Sequence, residues 1–106
     1  MIDLKGKTIT WTWAEGAFKG GKYQATLLTN GKIHWKGLEG AEKGQEAIDK
    51  EYSVVKVSED VHVLSWLESV GWTVTVTINL KENTAFGFVS NKNEWYPLAG
   101  AVESIK

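Results

Sequence analysis

The stretch over residues 61–80, VHVLSWLESVGWTVTVTINL, constrains the fold more than any other part of the chain. From 72 to 80, apolar Trp72, Val74, Val76, Ile78 and Leu80 alternate with Thr73, Thr75, Thr77 and Asn79. A period of two buries one face of a strand and leaves the other wet. Valine and threonine also suit a pleated surface. Residues 61–68 supply an antiparallel partner, with Ser69, Val70 and Gly71 in the turn. Glu68 and Trp72 flank that turn and so lie near each other at one end of a hairpin.

Similar alternation recurs at residues 7–14 (KTITWTWA), 22–29, 32–38, 51–57, 84–90 and 95–105. Asn30-Gly31 between two such runs signals a hairpin with a type I′ turn. Pro97 places part of the last strand at an edge or a bulge. Residues 39–50, EGAEKGQEAIDK, break the pattern. They are charged and glycine-containing, and read as a long loop with Glu39, Glu42 and Glu46 on a solvated face. Strands separated by turn signals, with no sustained helical period, indicate an all-β chain. Eight of them close into an antiparallel up-and-down barrel whose interior can hold one small ligand. A two-sheet sandwich is the alternative. A chain of 106 residues fits one domain.

Composition narrows the chemistry. Twelve basic residues against 13 acidic ones, with no basic stripe, argue against a nucleic-acid partner. There are no cysteines, which removes disulfides, thiol nucleophiles and thiolate metal sites. His34 shares a face with two lysines and His62 falls toward the opposite end from Glu68, so no metal site is expected. No phosphate loop or nucleophile motif is present, and no cofactor is expected. No apolar run is long enough to span a membrane, and MIDLKGKTIT lacks the apolar run of a signal peptide. A cytoplasmic location is the expectation.

Six tryptophans in a chain this short need a place to go. In an up-and-down meander, alternate turns lie at opposite ends. Trp11 and Trp13 then close the first strand at the end where Tyr23 opens the second. Trp35, Trp66, Trp72 and Trp95 fall in the same half, beneath the 39–50 loop. Two readings of this clustering stand: rings that pack a barrel end or an oligomer seam, or a mouth that takes a flat or apolar ligand. If Trp66 points inward, Leu64, His62 and Glu68 share its parity. A carboxyl among indoles would have a raised pKa and could act as acid or base. Otherwise Glu68 is a solvated residue beside a turn. His62 reads as a surface or core residue.

The segments ITWTWAEG, KYQATLLTNGKIHWKG and VLSWLESVGWTVTVTINL followed by AFGFVS resemble the MoaF-like family and its larger relatives, the bacterial phenolic acid decarboxylases. The similarity runs from about residue 6 to residue 90, and its most telling piece is Trp66-x-Glu68-x-x-Gly71. The resemblance implies an eight-stranded lipocalin-like (calycin) barrel that opens where the tryptophans cluster. In the decarboxylases a glutamate in this motif acts in proton transfer, and it matches Glu68. A second-strand tyrosine matches Tyr23. Two tyrosines that hold the substrate carboxylate fall on Trp11 and Trp13, and an arginine falls near Gln45. The proton-handling carboxyl is thus kept while the carboxylate grip is lost.

The expected function is binding of an apolar or aromatic small molecule among Trp11, Trp13, Trp35, Trp66, Trp72 and Trp95, oriented by Glu68 and Tyr23, without catalysis. The alternative is a small lyase or isomerase with Glu68 as general acid or base. The third reading is a homodimer with tryptophans at its seam.

Overall fold

The computed structural model describes residues 3–106. Residues 1 and 2 lie outside the described residues. Nine strands run in chain order as β1 (Thr8–Gly16), β2 (Lys22–Leu27), β3 (Ile33–Glu39), β4 (Glu46–Asp49), β5 (Tyr52–Lys56), β6 (Val61–Leu67), β7 (Thr73–Asn79), β8 (Thr84–Ser90) and β9 (Trp95–Ile105). They form one sheet in the order β4-β3-β2-β1-β9-β8-β7-β6-β5. Every neighbouring pair is antiparallel, including β1 with β9. The chain is therefore all-β, an antiparallel, nearly closed barrel whose two free edges are β4 and β5. Among the described residues no helix is long and apolar enough to cross a membrane.

Among the described residues the strand count is nine where the sequence predicts eight, and the difference has a geometric cause. Eight antiparallel steps around the sheet leave β4 and β5 running in the same direction. Residues 50–51 separate them, and β4 pairs with β3 while β5 pairs with β6. They are two halves of one broken strand that changes partner at the break. The first half lies within the segment expected to be a loop. Its pattern is inverted: Ile48 is 59% exposed while Asp49 is 2% exposed. An aliphatic residue outside and a carboxylate inside is a periodicity that hydropathy cannot find.

The break is bridged by individual hydrogen bonds. The Tyr52 N–H donates to Gly31 O at 3.2 Å and the Tyr52 hydroxyl to Leu28 O at 3.0 Å. Asp49 accepts from Trp35 Nε1 at 3.1 Å and from the Ser69 N–H at 3.0 Å. On the outer side His34 Nε2 meets Glu46 Oε1 at 2.9 Å and ties β4 to β3.

The β2–β3 turn also differs from expectation. Gly31 has φ +90°, but Asn30 is not left-handed, which excludes type I′. The Leu28 N–H bonds to Lys32 O at 2.9 Å and the Gly31 N–H to Leu28 O at 3.1 Å. Residues 29–31 thus make a three-residue loop ending in a left-handed glycine. Parity explains the choice. Leu27 pairs with Ile33 in the observed register, which keeps Tyr23, Ala25 and Leu27 on the face of Ile33 and Trp35. A two-residue loop would send the two sets to opposite faces.

Packing divides the barrel. Ile9, Ala25, Leu27, Ile33, Leu64, Val76, Ile78 and Ala85 are fully buried and fill one half without rings. His62 is packed with them at 2% exposure, and its Nε2 has no hydrogen-bond partner. The large rings occupy the other half.

Candidate functional site

The ring-lined half encloses a cavity of about 180 Å³. Alternation along β1 and β3 turns Trp11, Trp13 and Trp35 inward, and β6 contributes Trp66 by the same rule. Trp72 enters from the start of β7, with Val74 below it. Phe18, from the β1–β2 loop, and Val89, from β8, complete the apolar wall. Trp11 stacks on Tyr23 at 6.1 Å between ring centres and meets Trp13 edge-on at 6.2 Å. The contributing loops are β1–β2, β3–β4 and β6–β7, which places the cavity at the end expected from the meander.

Seven of the eight residues singled out in the sequence come together here: Trp11, Trp13, Tyr23, Trp35, Trp66, Glu68 and Trp72. Trp95 does not. It is 71% exposed and pairs with Ser90, while its neighbour Tyr96 pairs with the cavity-lining Val89. Inward parity on β9 therefore falls on Tyr96 and Leu98. Tyr96 takes the position at the rim, 6.2 Å from Trp72 and 6.3 Å from Phe18. Trp95 is the exposed tryptophan, and Trp72 is half-buried at the rim.

Two further acids belong to the site and were not singled out in the sequence. Glu42, expected on a solvated loop face, is half-buried and lines the cavity. The Tyr23 hydroxyl donates to its Oε1 at 2.6 Å. The local signal for this fold-back is Gly37. A Cβ there would lie 2.1 Å from the Glu42 carbonyl oxygen, so only glycine lets the loop return across β3. Asp49 lies in a second, more polar recess of about 310 Å³ beside the β6–β7 turn. Trp35, Glu42, Glu68 and Trp72 border both spaces.

The electrostatics follow from this crowding. Burial pushes the Glu68 carboxyl up to about 7, and the negative charges of Asp49 and Glu42 push in the same direction. The Trp66 indole acts in the opposite sense, although its N–H does not reach hydrogen-bond geometry with any acceptor. Tyr23 is pushed well above the usual phenol range, first by burial and then by Glu42 and Glu68. The Tyr23 phenol thus stays protonated and donates to Glu42, while the Glu68 carboxyl is shifted toward neutrality. Among the described residues no three His, Asp or Glu side chains converge as a metal site.

The chain matches the family model described as MoaF-like over residues 6–103. Among solved structures, a protein from Burkholderia vietnamiensis described as a "putative beta-lactamase" superposes with a TM-score of 0.81 at 17% identity, covering 96% of this chain and 95% of that one. At that identity the likeness is one of fold. No curated protein matches the chain.

Proposed function

The chain belongs to the MoaF-like family, and from that premise and the geometry of the site we propose that it is a small lipocalin-like barrel that binds an aromatic or apolar small molecule. The observation that carries this reading is the convergence of five of the six tryptophans on one cavity. Indoles pack a solid core well, yet here they surround open space, and a flat ring is the complement of such walls. The few polar groups, Tyr23, Glu42 and Glu68, would orient the guest. Cavity tryptophans report on occupancy directly, so the test is a ligand screen read by tryptophan fluorescence. Trp95→Phe serves as the background, because it removes the solvent-exposed indole. Saturable quenching is expected, and its absence across a broad aromatic set would refute the reading.

A second reading is favoured by one observation, the burial of Glu68 in the cavity with Glu42 and Asp49 close by, which pushes its carboxyl up to about 7. A carboxyl balanced between its two forms at working pH suits general acid–base catalysis. A lyase or isomerase using Glu68 would lose turnover in Glu68→Gln while still binding its ligand. It would not handle a carboxylate as the phenolic acid decarboxylases do. Trp11 and Trp13 stand where their gripping tyrosines fall, and the chain contains no arginine.

A further inference from the structure

We propose that the guest of this cavity is an organic cation, a protonated amine or quaternary ammonium carried on an aromatic or compact apolar group. The inference rests on the binding reading above and adds the charge of the ligand to it.

The walls come first. The π-face of an aromatic ring is the negative end of its quadrupole, and indole is the strongest such face among side chains. Five indoles around one small space hold an ammonium group better than any arrangement of aliphatic residues would. The charged groups come second. Glu42 and Glu68 line the cavity, and Asp49 lines the recess beside it. None of the 12 lysines borders either space. The chain as a whole is close to neutral, at −1, so this sorting is a property of the site and not of the composition.

Other ligand classes fit less well. An anion would enter beside Glu42 and Glu68 with no cation to receive it. A neutral hydrocarbon would strip water from both carboxyls and return nothing. A metal ion would need several oxygen or nitrogen ligands at one point, and the described residues gather no such set. The two buried indole N–H groups without partners, on Trp11 and Trp66, are closed off from solvent-sized contact. They therefore do not present donors to an anionic guest. Tyr23 holds one oxygen of Glu42, which fixes that carboxylate in place beside the rings.

The test compares three probes with the same phenyl group and nearly the same length: 2-phenylethylammonium, 2-phenylethanol and 3-phenylpropanoate. Each is titrated at pH 7.5 into the wild-type chain and the Glu68→Gln variant, with quenching of tryptophan emission as readout and calorimetry as check. The cation is expected to bind about tenfold tighter than the alcohol, a difference of about 1.4 kcal/mol, with the anion weakest. Glu68→Gln is expected to shrink the cation's advantage over the alcohol about threefold or more. Equal affinity of cation and alcohol, or preference for the anion, overturns the charge assignment and leaves small-molecule binding standing. No saturation by any of the three up to about 10 mM, weaker than about −3 kcal/mol, overturns both. The wild-type comparison decides the matter on its own if the variant does not fold.

Discussion

Replacing Glu68 with glutamine should stabilise the protein at pH 8 and change it little at pH 5. In the unfolded chain this carboxyl titrates near its ordinary 4.5, and in the fold it is pushed up to about 7. Between those values the folded protein keeps a proton that the unfolded chain has released. The contribution of this group to stability is thus complete below 4.5 and is lost as pH rises through 7. At full strength the interval is worth about 3 kcal/mol. Glu68 keeps partial contact with solvent, and screening reduces the figure to about 1–2 kcal/mol. Glutamine has nearly the same shape and never ionises, so it removes the loss at high pH. For a domain of this size the gain at pH 8 corresponds to about 4–8 °C in Tm. The groups that face Glu68, namely Asp49, Glu42 and Tyr23, are present in both proteins, so the comparison between two pH values isolates position 68. Urea unfolding followed by tryptophan emission gives both free energies, with an unchanged slope as the control. A variant that gains equally at pH 5 and pH 8, or that loses stability as pH rises, would refute the burial argument for this carboxyl.

Three further outcomes are expected from the packing and hydrogen bonds of the barrel. Asp49→Asn replaces one of two accepting oxygens with a donor that faces Trp35 Nε1 or the Ser69 N–H; a cost of about 1–3 kcal/mol is expected, with faster amide exchange at Ser69 and Tyr52, and unchanged exchange there would count against it. Gly100→Ala would place a Cβ 1.8 Å from the Thr12 carbonyl oxygen on the neighbouring strand; a loss of about 3 kcal/mol or failure to fold is expected, read by circular dichroism and urea melts. Trp95→Phe should change stability by less than about 0.5 kcal/mol and remove only the solvent-exposed component of the emission.

Much of this barrel could be read from residue order because most strands obey the period of two. β8 and β9 occupy the predicted spans, and β7 lies within its own by one residue at each end. The inward parity of β6 carries through Trp66 to Glu68, so the site's central carboxyl was legible from its spacing. Three features were not. β4 has its charge inside and its aliphatic residue outside, which reverses the signal. β9 runs through Pro97-Leu98-Ala99-Gly100-Ala101, where small residues leave no alternation to say that Tyr96 and not Trp95 faces the rim. Glu42 reaches the cavity only because its loop folds back across Gly37, a tertiary contact that composition reports as a charged loop. In each case the missing information lay in the pairing of strands and not in the hydropathy of one.

The break between β4 and β5 connects the stability of the barrel to the charge of its site. An unbroken strand would pair with β3 on one side and β6 on the other, and an even number of strands would close the ring by ladder hydrogen bonds alone. With the strand broken at residues 50–51, closure passes from a continuous ladder to single bonds, made by the backbone and hydroxyl of Tyr52 and by Asp49, which accepts from Trp35 and from the β6–β7 turn. Those two elements carry the cavity wall and Glu68. The residue that fastens the gap is therefore also one of those whose charge raises the Glu68 pKa. A cation bound beside Glu68 would relieve the repulsion among Asp49, Glu42 and Glu68 that folding imposes. Binding and closure would then reinforce each other, and ligand occupancy should slow amide exchange at Ser69, which donates to Asp49, and at Tyr52, which bridges the break. Exchange at those two amides that is indifferent to a saturating cation would show that the gap and the cavity act independently.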